Sequence, residues 1–246
     1  KHQYNNTMAE LDLSMVSIYF YQAKYDEYFA RLNEVNEYLK TQTKADYLKC
    51  RISYFYSAYY RQKGDYKKAE EMINQALYKV NNLTLSSTLP RHKYNNLKAM
   101  VLYNKANLTF ARNKNLPLEE RDQKSLQNAL NTLQEGISLF NPEKDSRNLL
   151  RSIELRGRLL ALMNNGDQIL QEFDQYHEFM EKIADDRTKM LFYITYSDAY
   201  FIKKDFKEAR SYIHKAKLLA QKLELTNEIE SITNKEHNID AAQAAF

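Results

Sequence analysis

The histidine, glycine and cysteine residues of this 246-residue chain do not stand at spacings that support catalysis or bind a cofactor. An HExxH zinc site needs a second histidine four positions after the first, but His177 is followed at that position by Glu181. The four glycines, at 64, 136, 157 and 166, lack the spacing of a loop that cradles phosphates. The single cysteine, Cys50, lies in an apolar helical pattern, which indicates a buried, unreactive thiol. We therefore predict a chain that is not an enzyme and holds no cofactor and no metal.

Arginine, tyrosine and asparagine side chains offer a different chemistry, the recognition of another molecule. A guanidinium group can clamp a carboxylate through two hydrogen bonds, a tyrosine gives a rigid amphipathic surface, and an asparagine can pair with a peptide backbone. The candidates are Arg51, Tyr54, Arg61, Tyr103, Asn107, Arg151, Arg158 and Asp198. They can act together only if the fold brings them to one surface.

The composition indicates long helices with short connections. Four glycines and three prolines are few, because sheets joined by tight turns need many such residues. The apolar residues include 20 Tyr, 11 Phe and no Trp, and a tyrosine-rich core suits a thin structure whose buried rings keep their hydroxyls near water. The net charge is +4, with lysine and arginine interleaved among acidic residues rather than gathered in a stripe, so we expect no direct contact with nucleic acid.

One stretch of sequence occurs twice, 140 residues apart. The copies read YSAYYRQKGDYKKAEEMINQA over 56–76 and YSDAYFIKKDFKEARSYIHKA over 196–216. In the first copy Ala69, Ile73 and Ala76 fall at i, i+4 and i+7, which is one apolar stripe of a helix. Asp65 can cap that helix, and Ser57 is small enough to let the preceding helix approach it closely. Each copy therefore predicts an antiparallel helical hairpin.

This pattern resembles the tetratricopeptide repeat, in which a small and then a large residue precede the turn, and a small–aliphatic–small stripe follows it. The resemblance covers roughly residues 9–222. It implies an all-α, right-handed superhelix of hairpins with a concave inner face, and proteins of this kind generally bind peptides or proteins. A resemblance of this type indicates fold far better than function.

We expect one repeat domain over 1–246 with about five hairpins and a C-terminal helix. The approximate limits are 8–40, 44–80, 90–140, 142–183 and 186–222 for the hairpins and 225–246 for the last helix. The first and fourth hairpins depart from the pattern, because Tyr28 and Tyr176 replace small residues. The third carries an insertion at 113–122, which we expect to be exposed and not a strand, with Pro117 near the start of the delayed second helix.

The resemblance also places the candidate binding residues. In such stacks the first helix of each hairpin lines the concave face, and fixed offsets from its small residue describe one stripe. The offsets select Arg51, Tyr54 and Arg61 in the second hairpin, Tyr103 and Asn107 in the third, Arg151 and Arg158 in the fourth, and Asp198 in the fifth. Such a groove suits an acidic or extended peptide or a small anionic ligand. The alternative is that the arginines pair with Glu154, Asp198 and other groove carboxylates, or are simply solvated.

The chain end leaves two interpretations open. It reads IDAAQAAF, with no residue that would end a helix. Either the helix continues beyond Phe246 into a membrane span, a coiled coil or an output domain, or it is an alanine-rich cap on the fifth hairpin.

The leading functional hypothesis is a non-catalytic module that binds a peptide, a protein or another ligand. We place it in a bacterial signalling or regulatory protein, as the sensory or interaction domain, either periplasmic or cytoplasmic. The alternatives are a self-contained receptor for peptide pheromones and an assembly scaffold or cochaperone. A helical hydrolase belongs to another class, and the missing motifs disfavour it.

Overall fold

A computed structural model describes residues 5–22, 24–86 and 89–245 of the chain. Within these residues it has eleven α-helices, one 3₁₀ turn (Leu118–Glu120) and no strand. The helices are α1 (Asn6–Tyr21), α2 (Tyr25–Lys40), α3 (Asp46–Gln62), α4 (Tyr66–Asn81), α5 (Arg91–Asn113), α6 (Gln123–Leu139), α7 (Ser146–Leu162), α8 (Gly166–Ile183), α9 (Asp186–Ile202), α10 (Phe206–Lys222) and α11 (Thr226–Ala244). The prediction of an all-α chain of helical hairpins with a final helix is confirmed. Among the described residues no helix combines the length and the apolar character that crossing a membrane requires.

The described residues form two compact units. The N-terminal unit holds those up to Arg112 together with Gln134–Leu139, and the C-terminal unit holds Asn113–Leu133 and the residues from Phe140 onward. Each unit has its own apolar core. In the first unit α4 contributes one stripe to it, whereas α3 is buried on every side over residues 52–58. Both cores include fully buried aromatic side chains, such as Tyr28 in the first unit and Phe173 in the second.

The second hairpin, α3 and α4, shows how closely two helices approach. Ser57 Oγ donates a hydrogen bond of 2.8 Å to the carbonyl oxygen of Ala69, and Cys50 Sγ donates one of 3.4 Å to that of Ala76. Because an earlier residue of α3 pairs with a later residue of α4, the helices run antiparallel. A side chain can reach the backbone of the neighbouring helix only where the facing residue is small, and Ala69 and Ala76 meet that need.

The fifth hairpin, α9 and α10, repeats this contact and the turn beside it. Ser197 Oγ donates to the carbonyl oxygen of Ala209, also at 2.8 Å. The turn of the second hairpin passes through Gly64 at φ +78°, and its counterpart Lys204 takes the same left-handed conformation at φ +62°. A left-handed residue is needed here because the chain must reverse within a few residues before the aspartate that caps the next helix.

Tyr28 and Gly157 explain the two irregular hairpins. Tyr28 is buried in the N-terminal unit, where its hydroxyl donates a 2.7 Å hydrogen bond to the carbonyl oxygen of Phe55 and its ring stacks on Tyr59. In the C-terminal unit the close approach is made by Gly157 of α7 instead. A methyl carbon placed on Gly157 would lie 2.4 Å from Cζ of Phe173 on α8.

The insertion in the third hairpin is mostly exposed and contains no strand. Its ends are joined by a 3.0 Å hydrogen bond from the backbone N–H of Asp122 to Asn113 Oδ1. The Arg121 guanidinium donates to the carbonyl oxygens of Leu116 at 3.0 Å and Leu162 at 2.7 Å. The prediction that α6 starts near Pro117 is wrong. The residues after Pro117 form only a 3₁₀ turn, since Arg121 is extended (φ −72°, ψ 132°), and α6 begins at Gln123.

Candidate binding surfaces

Arg51 lies in an aromatic setting on α3 of the N-terminal unit. Its guanidinium carbon is 5.9 Å from the ring centroids of both Tyr47 and Phe55, and Tyr54 hydrogen-bonds to its side chain. The nearest carboxylate belongs to Glu10 on α1, with 3.6 Å between Arg51 Nη1 and Glu10 Oε1. The side chain of Arg51 is 13% exposed. The group is therefore held in place by rings, and its carboxylate contact is long.

Tyr54 and Arg61 follow Arg51 on the same side of α3. Tyr54 is 8% exposed, and Arg61 is half-buried. Burial raises the pKa of the Tyr28 hydroxyl well above its usual value, and the positive charge of Arg61 acts against that shift. Arg61 therefore lies close enough to the buried Tyr28 to act on its hydroxyl.

Tyr103 and Asn107 stand one turn apart on α5 and contact each other. The Nδ2 atom of Asn107 donates to the Tyr103 hydroxyl at 3.4 Å. Both side chains are buried, with 7% of Tyr103 and 6% of Asn107 exposed. A helical offset identifies the face on which a residue lies but not how deeply the neighbouring helices bury it.

In the C-terminal unit Arg158 and Glu154 form a pair one turn apart on α7. The Arg158 Nε and Glu154 Oε1 atoms are 2.8 Å apart, and Thr195 Oγ1 of α9 donates to the same oxygen at 3.2 Å. Glu154 is 2% exposed, so this carboxylate is a buried acceptor shared by two helices. Asp198 of α9 pairs instead with Lys235 of α11.

The eight predicted residues thus divide between the two units. Five lie in the N-terminal unit and three, with Arg151 half-buried on α7, lie in the C-terminal unit. The alternative, in which the arginines pair with groove carboxylates, is present for Arg158 with Glu154 and, at the longer distance of 3.6 Å, for Arg51 with Glu10. Asp198 has a lysine partner. That all eight residues face one groove stays a prediction.

A pocket of about 310 Å³ lies on another side of the N-terminal unit, and no sequence pattern predicted it. It is lined by residues of α2, α3 and α4, namely Asn36, Leu39, Lys40, Lys49, Ile52, Ser53, Tyr56, Met72, Gln75 and Lys79. These residues come from three helices and form no linear motif. The one signal in the sequence is the hairpin that recurs 140 residues later, because several of the pocket positions have different residues in the two copies.

The hydrogen bonds of two lysines in this pocket go to neutral groups. Lys79 Nζ donates to Ser53 Oγ at 2.7 Å, and Lys49 Nζ donates to the carbonyl oxygen of Gln42 at 2.6 Å. Burial and the charge of Lys49 lower the pKa of Lys79. Among the described residues neither ammonium group has a carboxylate oxygen within 4 Å.

Cys50 is buried next to this region, as predicted. Burial raises the pKa of its thiol to about 12, so the thiol is protonated at neutral pH. Within the described part of the chain no three His, Cys, Asp or Glu residues are grouped so that they could hold a metal ion.

Comparison with known proteins yields a match in fold. No protein-family model matches the chain, and no curated protein matches it. A solved structure of a Podospora anserina protein, described as a kinesin light chain with nearly identical TPR-like repeats, is similar to it with a TM-score of 0.55. This chain has the TPR-like helical-repeat fold. The similarity covers 91% of this chain and 99% of the other at 14% sequence identity, so it establishes the fold, and function rests on the chain's own side chains.

Proposed function

We propose that the chain is a non-catalytic module that binds an acidic, extended peptide or protein segment. The proposed contact residues are the eight named above, with Arg51 as the principal one. The setting of Arg51 is the observation that carries the proposal, because its guanidinium is positioned by neighbouring groups and only loosely engaged by a carboxylate.

The distances around Arg51 support an exchange of carboxylates. Charge-assisted N–H···O bonds are normally about 2.7–2.9 Å long, whereas Arg51 Nη1 and Glu10 Oε1 are 3.6 Å apart. The Glu10 side chain is 41% exposed and can rotate into solvent. A carboxylate of a partner could then take its place and form two parallel hydrogen bonds. The rings of Tyr47 and Phe55 would keep the guanidinium in position, so little side-chain entropy would be lost on binding.

A peptide array tests this function. Peptides of equal length with acidic, neutral and basic composition are screened on the wild type. Each hit is then measured on an Arg51→Ala/Arg158→Ala variant and on Arg31→Ala. Arg31 is the control because its side chain is 40% exposed and pairs with Glu34 on the same helix, α2, at 2.8 Å. We expect acidic hits whose affinity falls as salt rises. The double variant should lose roughly 2–5 kcal/mol of binding where a partner carboxylate is left buried and unpaired. Equal binding of every hit by the wild type and the double variant would refute the proposal.

We place the module in a bacterial signalling or regulatory protein as its sensory or interaction domain, and a peptide receptor or an assembly scaffold is the alternative. The helical-repeat fold is compatible with each of these. Sequencing the gene around this segment tests the assignment. A downstream transmembrane helix or output domain supports the signalling role, and a reading frame that closes near Phe246 contradicts it.

A further inference from the structure

We propose that the pocket between α2, α3 and α4 binds a small organic anion, with Lys49 and Lys79 as its charge partners. This site is separate from the arginine-bearing side of α3. At 100° per residue, the pocket-lining Tyr56 lies about 160° around that helix from Tyr54 and about 140° from Arg51 and Arg61. The proposal therefore does not depend on the peptide-binding function, and either can fail without the other.

The charges that line the pocket are unbalanced. Lys49 and Lys79 are half-buried, and their hydrogen bonds go only to neutral acceptors. Lys40 also lines the pocket but is exposed and pairs with Glu37 at 2.6 Å. Half-buried ammonium groups with no paired carboxylate are costly, because burial removes water that would stabilise the charge. For Lys79 the more distant Asp46 offsets only part of this effect. An anion in the pocket would supply that stabilisation and reverse the lowering of the Lys79 pKa.

The fifth hairpin repeats the second at an offset of 140 residues, but it has no matching open space. Ser53 and Met72 correspond there to Tyr193 and Tyr212. The Tyr212 ring stacks on Tyr196 with 4.8 Å between centroids, and it lies 6.0 Å from the ring of Tyr193. Aromatic rings therefore fill, in the fifth hairpin, the space that is open in the second. The pocket arises from the particular side chains of the second hairpin and is not a general consequence of the fold.

The two hairpins also differ in the charges around these positions. Lys49 corresponds to Lys189, whose Nζ atom is 3.0 Å from Glu181 Oε2. Lys40 comes directly after the last buried residue of α2, and Glu181 comes directly after the last buried residue of α8. Lys40 therefore takes the position at which the helix before the fifth hairpin carries Glu181, the carboxylate beside Lys189. Lys79 corresponds to Leu219. The second hairpin thus lacks the carboxylate beside Lys189 and has a lysine in place of Leu219. It carries no more lysines at these positions than the fifth, because the pocket-lining Gln75 corresponds to Lys215.

The shape and lining of the pocket define the class of ligand. A volume of about 310 Å³ is at the lower end of the roughly 300–1,000 Å³ typical of small-molecule sites. Leu39, Ile52 and Met72 give it apolar walls, and the two ammonium groups can act as point charges toward phosphate or carboxylate oxygens. The ligand we infer is a compact molecule with one apolar group that carries a phosphate or a carboxylate.

Titration calorimetry at low salt on the full chain tests the site. The probes are phenyl phosphate, benzoate, inorganic phosphate and neutral benzyl alcohol. We expect saturable binding of phenyl phosphate or benzoate at one site per chain, weaker binding of inorganic phosphate and none of benzyl alcohol. The first two probes decide between a phosphate and a carboxylate ligand. Lys49→Met and Lys79→Met should each weaken binding about tenfold or more, the effect of losing a hydrogen bond to a charged group. Lys189→Met, the same change at the matching position of the fifth hairpin, should leave it unchanged.

A filled-pocket variant gives a second test. Ser53→Tyr/Met72→Tyr copies the side chains of the fifth hairpin, so it should keep the helical circular dichroism of the wild type and lose binding. Three results would overturn the proposal. These are no saturable binding of either organic anion, equal affinity in the wild type and both lysine variants, or binding retained by a folded Ser53→Tyr/Met72→Tyr protein.

Discussion

Replacing Gly157 by alanine tests the closest helix approach in the C-terminal unit. The added methyl carbon would lie 2.4 Å from Cζ of Phe173 and 2.9 Å from Cγ2 of Thr195, whereas carbon atoms in contact are normally about 3.5–4.0 Å apart. The Phe173 ring cannot move into solvent, because it is fully buried and packs against Phe192 and Tyr196, with centroid distances of 4.6 and 5.1 Å. The helices or the ring must therefore shift.

Two opposing effects set the size of the change. Overpacking a close-packed core costs about 1–3 kcal/mol. Alanine in place of glycine inside a helix returns about 0.5–1 kcal/mol. We expect a net loss of about 1–2 kcal/mol in the free energy of unfolding, which for a domain of this size lowers Tm by roughly 2–8 °C. Urea unfolding followed by circular dichroism at 222 nm, with a thermal melt beside it, measures both quantities.

Gly136→Ala is the matched control because Gly136 also lies inside a helix, α6. A methyl carbon there would meet the carbonyl oxygen of Ala99 at 3.4 Å and Leu102 Cβ at 3.5 Å, which are ordinary contacts. This variant should keep or gain up to about 1 kcal/mol. In the C-terminal unit, Phe173→Leu combined with Gly157→Ala should cost less than the sum of the two single changes, since the leucine removes the clashing ring atoms. If Gly157→Ala changes the free energy of unfolding no more than Gly136→Ala does, then α7 and α8 do not approach each other as closely as described.

Three further predictions follow from the repeated hairpins and the helix caps. Ala69→Leu and Ala209→Leu should each cost about 1–3 kcal/mol by overpacking the helix pair, and unchanged thermal midpoints would mean that the register of the repeat is wrong. Lys204→Gly should raise the unfolding midpoint, because a left-handed L-residue costs about 1–2 kcal/mol, and a lower midpoint would contradict the turn geometry. The net pKa of Asp185, the N-cap of α9, is lowered. Burial alone would raise this pKa, but hydrogen bonds from the backbone N–H of Thr188 and from Arg147 outweigh burial. Its stabilisation is therefore present above its unfolded pKa and lost as pH falls through the lowered value. Asp185→Ala should cost about 0.5–2 kcal/mol at pH 7, and urea melts from pH 7 to pH 2 should show that difference shrinking, not growing, with acid.

The sequence predicted the hairpins because their main constraint is local and repeated. Ser57 and Ala69 had to face each other across a turn, and the same two residue types recur 140 positions later with the same 2.8 Å hydrogen bond. The register of a helix pair follows from such small residues, since only they allow the close approach. The left-handed turn of the fifth hairpin was harder to predict. Glycine adopts a positive φ readily, as Gly64 does, but a lysine such as Lys204 gives no indication of that conformation.

The candidate binding residues were less predictable because their environment depends on neighbouring helices. The offsets placed Tyr103 and Asn107 on one face of α5, which is correct, but they could not show that both side chains are buried against each other. Asp198 was predicted among groove carboxylates that could pair with arginine. Its partner is Lys235 of α11, a helix outside the repeat pattern from which the offsets were derived. Contacts between distant segments depend on packing, and a stripe on one helix does not contain that information.

The two copies of the hairpin separate the residues that hold the fold from those that distinguish its surfaces. Ala69, Ile73 and Ala76 are buried, as are their counterparts in α10, and the residue type is identical at all three positions. Ser53 and Met72 lie on the same two helices but differ from their counterparts in size. A difference at such positions cannot be attributed to the requirements of the helix pair, because the pair forms equally well with either set. Function in this chain should therefore be sought where the copies differ.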